Sequence, residues 1–252
     1  MKKAPYYLSA ILMVACFTQP VSAQFEGKIQ YSVYDYSKDT PADEKQDEFT
    51  LFITPDRILL QGENKYDFMG SIKTEGVLVR LDFEDFVFLT GDQKALKISR
   101  SDITSMMNMF SDNGQSSADV AKKGDDIKYE RTGESKKIKG YNCEKFIFHD
   151  EDNEAAQTVV WMTKDIQVNW GMLAEPWSGD AEKMIQSFPM DIIFKEKYFP
   201  VLVETYENGD LISRMEATDI NQSSIARAMV QVPSGVQVLS FQDYLFQKMS
   251  EQ

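Results

Sequence analysis

From residue 25 to residue 33 the chain alternates apolar and polar side chains without a break. Phe25, Gly27, Ile29, Tyr31 and Val33 take one set of positions, and Glu26, Lys28, Gln30 and Ser32 take the other. Side chains in a strand point to opposite faces with a period of two, so this run reads as a strand buried on one face only. Phe49, Leu51 and Ile53 repeat the pattern, and the polar stretch 37–47 between them reads as a hairpin loop. Short apolar runs follow at 57–60, 76–81, 86–90 and 95–98. Gly, Asp and Asn punctuate them at the spacing of an all-β meander.

The period then changes. Ile103, Met106, Met107 and Phe110 are spaced i, i+3, i+4 and i+7, which places them on one face of a helix. Ser101 is its expected N-cap and Asn113-Gly114 its stop. The polar stretch 111–126 reads as an exposed, mobile connection. Strands resume at 127–131, 143–148 and 158–162. A second helix is expected at 180–188, capped by Ser178 and ended by Pro189. Strands are expected again at 190–194, 201–206 and 211–217. Asn208-Gly209 between the last two is a type I′ hairpin signal, because that turn needs positive φ twice. Phe241, Tyr244, Leu245 and Met249 share a face of a closing helix, with Ser240 and Asp243 as its capping pair. The sum is a mainly β chain: a curved antiparallel sheet or half-barrel with two or three short helices packed on one side. Residues 24–252 are expected to form a single β-rich domain.

The first 23 residues read as a secretory signal. Lys2 and Lys3 precede an apolar stretch from Tyr6 to Phe17, and Val21-Ser22-Ala23 supplies the small residues before a cut. The apolar run is shorter than the roughly 20 residues that span a bilayer. Cleavage after Ala23 would start the mature chain at Gln24 and place it in the periplasm or outside the cell. Met13-Val14-Ala15-Cys16 offers an alternative, a lipid anchor on Cys16, though Leu is usual where Met13 stands.

The chain holds two cysteines, and removal of the signal leaves Cys143 alone. A disulfide within the mature chain is then impossible, and a lone thiol reads as a small buried hydrophobe. Lys and Arg number 27 against 40 Asp and Glu, a net charge of −13, and loss of Lys2 and Lys3 makes it two units more negative. Such a surface repels phosphate backbones, which argues against nucleic-acid partners.

One stretch has a recognisable pattern: Gly133, Lys136, Ile138, Gly140-Tyr141 and Cys143, then Trp161 in a strand, then Thr163-Lys164-Asp165. It resembles a family of bacterial exported proteins known as domain-of-unknown-function family 4412. The resemblance covers residues 127–215, and the first half only in strand pattern. It implies an envelope protein with a lipoprotein-carrier-like half-barrel, and no catalytic residues. Gly140 also has a local reading, a turn or bulge that re-aims Tyr141 into the sheet.

Residues able to carry chemistry are few. His149 is the single histidine. On a continuing strand its neighbour Asp150 faces the other way and cannot orient the ring as a triad requires. The acidic loop Asp150-Glu151-Asp152-Asn153-Glu154 has oxygen donors for calcium but lacks the Gly and the distal Glu of an EF-hand loop, with Trp161 where that Glu would fall, and reads as a solvated turn. Asp82, Glu84 and Asp85 are the best pair-forming acids for a hydrolase and fall in a turn. Lys136, Lys137 and Lys139 read as a solvated hairpin face. No phosphate-cradling glycine loop appears, no cofactor or metal is implied, and the expectation is a protein without catalysis.

Apolar ligand binding is the sharper alternative to plain packing. Met106, Met107, Met109 and Phe110 are soft, adaptable side chains, of which only Met109 leaves the helical stripe. Trp170 and Trp177 flank a Gly/Pro-containing segment that could roof a cavity. Three functions stay open at this point. One is a carrier for a lipid or other apolar molecule, with an internal cavity of some hundreds of cubic ångströms. The second is a structural or protein-interaction module of the envelope, with an exposed apolar patch. The last is a carboxylate hydrolase.

Overall fold

The computed structural model describes residues 24–37, 44–68, 72–91, 93–103, 129–149, 153, 155–174 and 190–250. They form one open, curved sheet of twelve strands. These are β1 (Gly27–Asp35), β2 (Asp47–Ile53), β3 (Arg57–Phe68), β4 (Ile72–Arg80), β5 (Asp85–Leu89), β6 (Lys94–Ser99), β7 (Tyr129–Ile138), β8 (Tyr141–His149), β9 (Ala156–Thr163), β10 (Phe199–Glu207), β11 (Asp210–Gln222) and β12 (Gln237–Ser240). The spatial order is β12-β6-β5-β4-β3-β2-β1-β11-β10-β9-β8-β7.

Two meanders, β1 to β6 and β7 to β11, meet where β1 pairs with β11. Ile29 there faces Leu51 of β2 on one side and Ile220 of β11 on the other, and it is completely buried. Register shifts at Gln30/Tyr31, Thr205/Tyr206 and Pro200/Leu202 interrupt the central ladders, and such extra residues bend and twist a sheet. The hairpin turns follow their residues. Asn208 and Gly209 have φ of 52° and 89°, and Lys139 and Gly140 have 50° and 90°. Both are two-residue turns with positive φ, so Gly140 makes a hairpin between β7 and β8 rather than a bulge.

Two short helices rest on the sheet, α1 (Met190–Phe194) and α2 (Phe241–Ser250). The strand expected at 190–194 is therefore α1. Ile192 and Ile193 are consecutive and both buried in one cluster with Phe146, Phe148, Val160, Met162 and Tyr198. Neighbours on a strand would point apart, whereas a helical turn brings both to one side. Five apolar-rich residues are too few for periodicity to separate the two. Phe241 and Tyr244 of α2 pack on Phe88, Leu96 and Ile98, and Ser240 with Asp243 form the expected cap.

A third helix starts at 100–103, but Ser99 caps it, not Ser101. Asp102 N–H donates to Ser99 Oγ (3.1 Å) and Ser99 N–H to Asp102 Oδ2 (2.8 Å). Its continuation, the connection 111–126 and the helix expected at 180–188 lie outside the described residues.

The sheet is not wholly antiparallel. β12, which the sequence pattern did not signal, pairs parallel to β6. The chain reaches it through 223–236, which crosses the sheet instead of turning back. Ile225, Val230, Val232 and Val236 on that segment pack on Leu59, Leu78, Val87 and Ala95. Those strand residues alternate with Val77, Phe88 and Leu96 beneath α2, so the two coverings lie on opposite faces.

Candidate functional site

The cleft around Trp170 is built by the loop that leaves β9. Thr163 is fully buried, and its hydroxyl accepts from Asp165 N–H at 3.1 Å. The Asp165 carboxylate then accepts from Asn142 N–H (3.1 Å) and Asn142 Nδ2 (3.3 Å), which ties the loop to the β7–β8 turn. Ile166 is buried in the main core. Beyond it, the Gln167 carbonyl accepts Phe25 N–H at 2.7 Å, and Asn169 Nδ2 donates to the Pro55 carbonyl at 2.8 Å. Asn169 Oδ1 accepts Gly171 N–H at 3.0 Å and starts the short 3-10 helix Gly171–Leu173. Gly171 is required twice over. Its φ is +46°, and an added Cβ would lie 3.0–3.3 Å from Leu81 side-chain atoms.

This bracing holds the Trp170 ring half-buried at the junction of two clusters. It stacks on Phe199 (centroids 6.3 Å apart, 13° between planes) and meets Phe194 at 5.3 Å and 59°. An open cleft of about 290 Å³ lies beside it, lined by Gln24, Gln167, Val168, Phe194 and Lys197 among others. A second cleft of about 270 Å³, lined by Asp56, Leu81, Asp82, Glu84 and Met172, shares Asn169 and Gly171 with the first. Both are open to solvent, whereas the carrier expectation was an internal cavity. Of the six residues expected to bind a ligand, Trp170 is placed at a cleft. Met106, Met107, Met109, Phe110 and Trp177 lie outside the described residues, as do Asp150 to Asp152 and Glu154 of the acidic loop.

Asp85 is buried and takes two bonds from Arg80, Nε at 2.6 Å and Nη2 at 2.5 Å. Asp82 accepts from Arg57 at 3.2 Å. Each acid thus has its own arginine. Both guanidiniums lie over the Phe83 ring, at 5.9 and 4.6 Å. Among the described residues no group of three or more His, Cys, Asp or Glu side chains could hold a metal. His149 is exposed at the end of β8. Cys143 is completely buried, and burial pushes its thiol up to about 11.

One polar cluster was not foreseen. Arg131, Glu144 and Tyr198 converge from β7, β8 and the segment before β10. Arg131 Nε and the Tyr198 hydroxyl both donate to Glu144, at 2.9 and 3.0 Å, and Arg131 also bonds Tyr198. Burial works against the Glu144 charge, but the bonds from Arg131 and Tyr198 prevail and hold its carboxyl below the usual range. Burial, helped by the Glu144 carboxylate, pushes the Tyr198 hydroxyl up to about 12. No sequence spacing flags this trio. Lys136, read as solvated, also has a partner: its ammonium lies 3.9 Å from the Trp161 ring centre.

Residues 84–236 match the model of a family described as a domain of unknown function, DUF4412. That is more than half of the chain, and the protein belongs to this family. The matched span contains the pattern from Gly133 to Asp165 and leaves out β1 to β4, β12 and α2. No curated protein matches the sequence. Among solved structures, PNGF-II aligns with 89% of this chain and 32% of its own at 17% identity and a TM-score of 0.46, so the chain spans about a third of that protein. An uncharacterised conserved protein from Thermus thermophilus aligns with 85% of this chain and 91% of its own at 7% identity and a TM-score of 0.40. MucB aligns with 85% and 59% at 10% and 0.38.

Proposed function

We propose that this is an exported, non-catalytic binding module of the cell envelope that takes a lipid or other small apolar molecule against Trp170. The observation that carries the reading is a large aromatic ring, braced by its neighbours' hydrogen bonds and two ring contacts, that still borders an open cleft. Rigid loops that present aromatic surface are where binding residues concentrate. Val168 and Phe194 extend the apolar wall, while Gln167, Asn169 and Lys197 give it polar edges.

Native mass spectrometry of protein purified from its own envelope, followed by organic extraction, tests this. A bound apolar adduct in the wild type is expected, lost from a folded Trp170→Ala variant. Binding of 1-anilinonaphthalene-8-sulfonate gives an independent reading. Equal dye binding by wild type and a Trp170→Ala variant with an unchanged melting temperature would sink the assignment to this cleft.

A second reading, an envelope protein partner, is favoured by Phe83. This side chain is 59% exposed at the β4–β5 turn, with Arg57 and Arg80 beneath it. Cross-linking in cells separates the two readings. A partner captured by wild type and lost with Phe83→Ser would favour this one.

A further inference from the structure

We infer that the mature protein begins with a pyroglutamate at position 24, and that this ring forms part of the wall of the Trp170 cleft. The inference rests on the export reading above, because it needs a cut after Ala23. It is independent of what the cleft binds.

Cleavage there leaves Gln24 as the first residue, with a free α-amine. That amine and the side-chain carboxamide belong to one residue and meet at very high effective concentration. The α-nitrogen attacks Cδ of the carboxamide, a C–N bond closes a five-membered lactam, and the amide nitrogen leaves as ammonia. No oxidant, reductant or second substrate is consumed.

The structure places position 24 at the mouth of the cleft, exposed to solvent and followed by a buried anchor. Gln24 lines the cleft with Gln167, Trp170 and Phe194. The next residue, Phe25, is 2% exposed in the main core, and its N–H donates to Gln167 O at 2.7 Å. First residues of a chain fray unless tied down, and here the tie begins one residue in. Ring closure uses only the α-amine and carboxamide of Gln24, so the Phe25 anchor survives it. Among the described residues no hydrogen bond holds Gln24 itself, and none is broken when the lactam forms.

The chemical consequence falls on the cleft. An α-amino group titrates at about 7.7–8.0, so an open Gln24 would put an ammonium on the wall at neutral pH. The lactam is neutral and less costly to desolvate against an apolar ligand. Lys197 then remains as the cation on the rim. Processing thus finishes the binding surface as well as removing the leader.

The test is the intact mass of undigested protein from the native envelope, because a peptide freed with Gln at its start can cyclise in the digest. The expected mass is that of the chain from Gln24 less one ammonia, with Edman degradation blocked in wild type and readable in Gln24→Ala. A full mass with a free amine on Gln24 overturns the cyclisation and leaves export standing. A chain that starts elsewhere, at a lipidated Cys16 or at Met1, overturns both. Pyroglutamyl peptidase tests the placement: the scissile bond ends on the buried, hydrogen-bonded Phe25 N–H, so removal of the exposed ring is expected to be slow in native protein and fast after unfolding, and equal rates would overturn the wall.

Discussion

The Tyr31 hydroxyl donates a 2.6 Å hydrogen bond to the Pro200 carbonyl, joining β1 to β10 across the intervening β11. Tyr31 is 2% exposed and its ring stacks on Phe49 at 5.0 Å. Pro200 borders the register shift within the β9–β10 ladder, so the hydroxyl supplies a bond at an interrupted point of the sheet. Tyr31→Phe keeps the ring and leaves the carbonyl without its partner. The expected loss is about 1–3 kcal/mol in urea unfolding, with an unchanged m-value. Burial also raises the Tyr31 pKa far above the tyrosine range. A raised pKa contributes stability that is complete below the unfolded value, about 10, and is lost as pH climbs above it. The alkaline fall in melting temperature should therefore be shallower in Tyr31→Phe.

Cys143 should be silent to thiol reagents in the native state. Its side chain is fully buried on β8 and its pKa is raised to about 11, so thiolate is scarce at pH 8. In urea, the Cys143 thiol should react with 5,5′-dithiobis(2-nitrobenzoate) at the rate of global unfolding. Rapid labelling without denaturant would contradict the burial.

Arg80 and Asp85 should show strong coupling. Arg80→Met leaves a buried carboxylate without its bidentate partner, an expected loss of about 3 kcal/mol. Arg80→Met with Asp85→Asn removes the stranded charge and should recover a large part of it. A double-mutant cycle in urea measures the difference.

The glycine turns separate backbone strain from contact. Gly209→Ala meets no atom within 4 Å but must hold φ near +89°, so its expected loss is about 1 kcal/mol. Gly171→Ala carries the same kind of strain and also presses on Leu81. It should cost more, and alone of the two it should weaken dye binding at the Trp170 cleft.

Glu144 gives the acid limb a defined contributor. A carboxyl held below its usual pKa adds stability present above the unfolded value, which is lost as pH falls through the folded one. Glu144→Gln should flatten the fall in melting temperature on acidification. The group is partly exposed, so added salt should shrink the effect.

What could be read before folding follows from the range of each signal. Alternation is written into neighbouring residues, so β1 and β2 were legible. The Asn208-Gly209 turn and the Ser240–Asp243 cap were legible for the same reason, since each is local chemistry. Met190–Phe194 was not, because a five-residue apolar run suits a buried strand as well as a helix, and only the packing of both Ile192 and Ile193 on Phe146 and Val160 decides. β12 has four residues and one neighbour, supplied by a segment some 140 positions earlier. At the cleft, Trp170 stood out as an aromatic in a loop. Gln24, Phe194 and Lys197 did not, because they come from three places in the chain and share nothing until it folds.

The position of β1 between β2 and β11 sets a timetable for biogenesis. A chain made from its N-terminus completes one flank of this strand as soon as Ile53 is available. The other flank waits for Asp210–Gln222, nearly the last strand to emerge. Until that strand arrives, the first meander carries an open edge beside Ile29 and Tyr31, a surface prone to pair with the wrong chain. Closure of the sheet is a late, long-range event, and a chain whose first 209 residues alone were free to fold would hold a half-sheet in need of a chaperone.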